Sequence, residues 1–173
     1  MNLSIVKATR AYFWVLGVLV SMHLLHSAPA SAANDEVRLQ IHVIDAARGK
    51  GAPKVDKRLR ALAKDLQSLP FSQFELVDAQ SKSLRKNERV SLQFPGKKGE
   101  KRFLRVTNHG PQRGNKLGFQ LQIPEMKFDT RVSVPNGGMI LVGGPRHGSK
   151  TLVFAVSARA KPTAGSTKQR KRR

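Results

Sequence analysis

The chain contains no cysteine. That removes disulfide stapling, thiol nucleophiles, thiolate metal sites and a lipid-modified N-terminal cysteine at one stroke. Aromatic residues are scarce too. There is one Trp and one Tyr in the whole chain, and both (Tyr12 and Trp14) fall in the first 32 residues. The remainder has only Phe, largely at core-type positions, which argues against an aromatic surface reading individual bases. Acidic residues are outnumbered, 11 Asp and Glu against 32 Lys and Arg, for a formal charge of +21. The apolar run Ala11–Leu25 is 15 residues long, short of the roughly 20 a membrane helix needs.

What is present begins with that run. Lys7 and Arg10 precede it, His26, Ser27 and Pro29 break it, and Ala30-Ser31-Ala32 puts small residues where a signal peptidase reads. Charge, a short apolar core and a small-residue exit make a secretory signal peptide over residues 1–32. Cleavage after Ala32 places the protein in the periplasm or outside the cell. An uncleaved N-terminal anchor is the alternative, given the aromatic cluster at Tyr12–Trp14. Cleavage removes only two cations from the +21 total, so the mature chain holds a formal +19. Such an excess attracts polyanions at long range.

The mature chain reads as mainly β. Val37, Leu39, Ile41 and Val43 alternate with Arg38, Gln40 and His42 within Glu36–Ala46, the period of a half-buried strand. Val55, Leu59, Leu62, Leu66 and Leu69 recur every three or four residues up to Pro70, predicting one amphipathic α-helix near 54–69. Strands are expected over Gln73–Ala79, over a hairpin spanning Arg89–Thr107, and over Leu117–Ile123, Phe128–Val134, Met139–Val142 and Leu152–Ala158. Lys82–Arg89, Asn108–Gly114 and Gly143–Ser149 are read as connections. An antiparallel β-sandwich or open barrel of about seven to eight strands over residues 33–159 follows, with the helix packed on an end or edge. Residues 160–173 have no apolar period and six Lys or Arg, and read as a disordered basic tail.

Motifs that carry chemistry are few. Gly143-Gly-Pro-Arg-His-Gly-Ser-Lys-Thr151 approaches a phosphate-binding loop. Its lysine is one place late, however, and a strand follows where a helix is required. A glycine-rich β-turn is the simpler reading, with a weaker anion site on its amides plus Arg146 and Lys150. His42, His109 and His147 have no acidic neighbour at ligand spacing, so no metal site is expected and the turn histidines are taken as solvated. Asp45, Glu75, Asp78, Glu125 and Asp129 lie in or beside strands. Two of them converging in a cleft would signal a small hydrolase. No Gly-x-Ser-x-Gly elbow is present, no cofactor is implied, and the expectation is a non-enzymatic protein.

Cations cluster at Lys50–Lys64, Lys82–Arg89 and Lys97–Arg105. A hairpin tip bearing Lys97, Lys98, Lys101 and Arg102 would project charge into solvent. Arg170, Lys171, Arg172 and Arg173 would extend it on the tail. With Arg146 and Lys150, these are the candidate anion-binding residues, suited to salt-sensitive attraction rather than to sequence-specific nucleic-acid recognition. The expected partners are anionic envelope polymers or lipid head groups. A second possibility is an accessory of a secretion or pilus system, docking through a sheet edge or the Leu59/Leu62/Leu66 stripe onto a partner chain.

The segment Asp129-Thr-Arg-Val-Ser-Val-Pro-Asn-Gly-Gly-Met-Ile-Leu-Val-Gly-Gly144 resembles the strand–Gly–strand–Gly-Gly portion of the C-terminal domain of outer-membrane secretins. Those are much longer multimeric pores. A broader similarity over Leu59–Arg159, with its Leu-rich helix, Phe71–Val77, paired strands and closing Gly-Gly-Pro-Arg-His-Gly, is to small exported β-rich proteins of Gram-negative bacteria. The resemblance implies export and a β fold, and assigns no catalytic residue.

Overall fold

A computed structural model describes residues 36–96 and 99–161. The signal-peptide reading, Lys97, Lys98 and the tail beyond Lys161 lie outside the described residues. Among the described residues nine strands form two sheets. β1 (Val37–Ala47), β2 (Lys54–Val55), β3 (Gln73–Leu84), β8 (Met139–His147) and β9 (Lys150–Ala160) make one, in the order β2-β3-β1-β9-β8. β4 (Arg89–Pro95), β5 (Lys101–Gln112), β6 (Lys116–Ile123) and β7 (Phe128–Pro135) make the other, as a meander. All pairings are antiparallel except β2 with β3. The fold is a β-sandwich whose chain changes sheet twice, from β3 to β4 and from β7 to β8. The secretin-like segment Asp129–Gly144 spans that second change, so its two strands belong to different sheets.

Period-two patterning builds the interior. Val37, Leu39, Ile41 and Val43 of β1, with Leu152, Phe154, Val156 and Ala158 of β9 beside them, face Leu92 and Phe94 of β4, Leu104 and Val106 of β5, and Leu117, Phe119, Leu121 and Ile123 of β6, all buried in one cluster. A smaller cluster lies on the opposite face of the five-stranded sheet. There Ile44, Ala46, Phe74, Val153 and Ala155 pack against Leu59 and Leu66. The end of β1 is therefore buried on both faces, which explains the unbroken buried run Val43–Ala46.

The expected helix over 54–69 is shorter and mixed. Lys54–Val55 joins the sheet beside Gln73–Phe74, with Lys54 N–H donating to the Ser72 carbonyl (2.7 Å) and Asp56 N–H to that of Phe74 (2.9 Å). Those bonds hold the chain extended where the helix was to begin. Asp56 then caps a 3-10 segment, Lys57–Leu62, which runs into one α turn, α1 (Ala63–Leu66). The three-residue step from Leu59 to Leu62 suits the first and the four-residue step to Leu66 suits the second. Leu59 and Leu66 are wholly buried and Leu62 half-buried. The stripe offered as a docking surface is thus the lid of the second core.

Three of the expected connections are strand for part of their length. β3 continues through Lys82 to Leu84, whose side chain is buried; the intervening Gln80 amide reaches across to the Gln93 carbonyl of β4 (2.6 Å). β5 runs on to Gln112 through a bulge at Asn108–Gly110. Asn108 is fully buried there, donating to the Leu84 and Arg85 carbonyls and accepting from Gly110 N–H, which ties the second sheet to the first at a corner. β8 extends to His147, leaving Gly148-Ser149 as a two-residue hairpin turn with Gly148 at φ +69°. Gly144 permits this path, since a Cβ there would meet Phe154 at 2.6 Å. β9 also reaches Ala160, one residue into the expected tail, and Lys161 N–H bonds the Glu36 carbonyl.

Candidate functional site

The cations named from the sequence do not form one patch. Lys101 is exposed at the start of β5. Arg102 instead shares the inward register with Phe94. Its side chain crosses Gly96 and meets Glu100 at 3.1 Å, and its Nε is buried without a partner among the described residues. It is not a solvent-projecting tip residue. Arg146 is exposed on β8 with no ion pair among the described residues. Lys150 is committed elsewhere. Its ammonium lies 2.5 Å from Glu75 and 3.8 Å from Asp45, and the hydrogen bond to Glu75 raises its pKa further. Of the pair named from the loop, Lys150 is thus engaged by two carboxylates, while Arg146 has no ion pair among the described residues. Lys97, Lys98, Arg170, Lys171, Arg172 and Arg173 lie outside the described residues.

Lys150 belongs to an ionic cluster at the end of β1. Asp45 and Glu75 are cross-strand partners on β1 and β3. His147, expected to be solvated, is buried (8% exposed), and its Nδ1 lies 2.8 Å from Asp45 Oδ1. The carboxylate makes Nδ1 the protonated nitrogen. The pair pins the β8–β9 hairpin tip to β1. Beside it opens a shallow cleft of about 440 Å³ lined by Asp45, Asp56, Glu75, Lys54 and Lys150. Three carboxylates do converge here, which was the sign set for a hydrolase. Each lies within ion-pair reach of a cation, Asp45 and Glu75 of Lys150, and Asp56 of Arg58 at 2.6 Å. The Arg58 guanidinium and backbone N–H hold the Asp56 carboxyl well below the usual carboxylate range. A glycosidase acid needs the opposite, a carboxyl kept protonated near neutrality. Among the described residues no group of three or more His, Asp or Glu is arranged to hold a metal ion.

The outward faces of the two sheets are the other candidates. At the far end of β1, seven residues and about 23 Å from Asp45, Arg38 is the direct cross-strand partner of Arg159 on β9. Gln40 opposes Ser157 on the next rung. On the other side of β1, Ser83 and Ser81 occupy the matching positions of β3. Arg38, Gln40, Ser157 and Arg159, with Gly137, line a concavity of about 280 Å³. The nearest carboxylate along β1, Glu36, is bonded to Lys161 at 2.6 Å. Like charges set directly opposite each other on neighbouring strands are destabilising, and no carboxylate among the described residues pairs with either arginine.

The outward face of the four-stranded sheet is also cationic. Lys101, Phe103 and Arg105 alternate on β5, flanked by Arg89, Ser91 and Gln93 of β4 and by Gln122 of β6. Arg131 of β7 lies opposite Gln120. The carboxylate on this face, Asp129, accepts from the amides of Gln120 and Gln122, both at 2.8 Å. Those bonds, with Arg131, keep its pKa low. Phe103 stands out as the exposed large apolar side chain of the described residues, 38% accessible. The sequence placed Phe103 and Leu104 alike in a strand; only the pairing shows Leu104 inside and Phe103 outside.

No protein-family model, no curated protein and no solved structure matches this chain. Sequence reasoning missed the Arg38–Arg159 rung on one sheet and the exposed Phe103 on the other. The alternation marking Arg38 as outward was visible. Its opposition to Arg159, 121 residues on, depends on strand pairing alone.

Proposed function

We propose that this chain is an exported, non-enzymatic binding protein that engages anionic envelope polymers or lipid head groups through its cationic faces and basic tail. The observation that supports this most directly is the Arg38–Arg159 rung. A like-charge pair without a counter-ion costs stability in isolation, and an oxyanion seated between the guanidinium groups reverses the sign of that interaction. The wider surface agrees. Among the described lysines and arginines, only Arg58, Arg102, Lys150 and Lys161 form ion pairs within the described residues.

Attraction of this kind is governed by counterion release and weakens steeply with salt. The full chain should be retained on a phosphate-bearing matrix at low salt and released as salt rises, with a clearly negative slope of log affinity against log salt. Removing residues 162–173, which leaves β9 intact, should lower the release point without changing the melting temperature. Retention that does not vary across the salt series would overturn this function. Export itself is tested by the N-terminus of the cellular protein, for which mass spectrometry should find Ala33 rather than Met1.

A further inference from the structure

The geometry points to the outward face of the four-stranded sheet as a surface for single-stranded nucleic acid, with Phe103 as the stacking platform. This rests on the polyanion reading above and adds a ligand class to it. A purely electrostatic surface has no use for an exposed aromatic ring, and the alternation that buries Leu104 and Val106 holds Phe103 on the outward face. Instead Phe103 stands between Lys101 and Arg105 on one strand, where same-face neighbours are about 7 Å apart. That is close to the spacing between successive phosphates of an extended strand. Gln93, the direct cross-strand partner of Phe103, and Ser91 and Gln122, which flank Arg105 on the next same-face rung, supply neutral polar groups near the ring.

The chemistry then divides cleanly. An unpaired base offers a flat face to Phe103, its edge meets the amide side chains, and the flanking phosphates meet Lys101, Arg105 and Arg89. Asp129, which would repel a phosphate, is screened by the two glutamine amides and Arg131. Arg89 is held toward this face by its Nε donating to Thr107 Oγ1 at 3.2 Å. A duplex hides its base faces in the stack, so the face favours single strands. One phenyl ring among amides reads no particular base, in keeping with sequence-tolerant binding. Acidic polysaccharide shares the charge but lacks the aromatic plane.

The test compares a fluorescent thymidine oligonucleotide with inorganic polyphosphate, a polyanion without rings, using the full chain at fixed salt. Phe103→Ala and Phe103→Leu should each weaken oligonucleotide binding about ten-fold, leave polyphosphate binding unchanged and leave the salt slope unchanged. Phe103→Tyr should restore the oligonucleotide affinity. Arg105→Gln should weaken both ligands and reduce the salt slope by roughly one. Equal losses for both ligands in Phe103→Ala, or no loss for either, overturn the stacking role while leaving polyanion binding intact. A selective loss for a sulfated polysaccharide in place of the oligonucleotide overturns the nucleic-acid assignment. Failure of the unaltered chain to bind either polymer overturns the broader function as well. Because Phe103 is exposed, unchanged circular dichroism spectra are expected for every variant.

Discussion

Two halves of a single surface, the outward face of the five-stranded sheet, have opposite characters although the same strands build both. At one half, Ile44 and Ala46 of β1 and Val153 and Ala155 of β9 lie under Leu59 and Leu66 and are dry. At the other, Arg38 and Gln40 oppose Arg159 and Ser157 and are open to water. The backbone pairing runs on unchanged between β1 and β9. What differs is a cover ten residues long, Lys57–Leu66. A short helical lid turns half of a sheet face into core and leaves the rest available for ligands. His42 sits at the boundary, half-buried, with Nδ1 unpartnered among the described residues.

The largest effect comes from carrying the charged pattern across that boundary. Ile44→Arg would bury a guanidinium with no counter-ion and should cost more than about 4 kcal/mol, enough to abolish the cooperative urea transition. Thinning the lid is milder. Leu59→Ala or Leu66→Ala should each lower the unfolding free energy by about 3 kcal/mol, as measured by urea denaturation, and polyanion retention under native conditions should persist because the open half is untouched. A loss well under 1 kcal/mol would mean that the lid contributes little to stability.

His42 sharpens the boundary through pH. Burial lowers its pKa from the ordinary 6.5, so the folded protein prefers the neutral ring while the unfolded chain takes up a proton as pH falls below about 6.5. The stability associated with this histidine is present above that pH and is lost as pH falls toward and through the folded value. Thermal melts below pH 6.5 should show this decline, and His42→Gln should flatten it. The smallest change in stability is expected at the open half. Arg38→Ser should leave stability within about 0.5 kcal/mol or raise it slightly, by relieving the like-charge rung, while retention on a phosphate matrix falls. If Arg38→Ser destabilised the fold as much as Leu66→Ala, the two halves would not differ as described.

Much of the sandwich was legible because one face of most strands is buried and the other wet. Leu117, Phe119, Leu121 and Ile123 announce β6, and Val37 through Val43 announce β1, by simple alternation. The signal failed where that condition failed. Gln80 and Lys82 continue β3 with polar side chains opposite Ile41 and Leu39 of β1, so no apolar alternation marks them, and the Gln80 amide bonds the backbone of β4. Asn108 looked like a loop residue and is a buried corner tie. The leucines at 59, 62 and 66 did face a core, but the period could not show that β2 would claim the start of the segment. His147 looked solvated because its partner Asp45 lies 102 residues away.

The amino-acid order alone determined the mainly β character, the absence of thiol chemistry, the excess of cations and the inward side of most strands. These follow from residue type and from a two-residue repeat that is local to each strand. Tertiary structure decided which cations are neutralised, which stand unopposed and which phenylalanine meets water. The Arg38–Arg159 rung and the Asp45–His147 contact depend on the register between strands more than a hundred residues apart, and no local pattern encodes a distance across the chain.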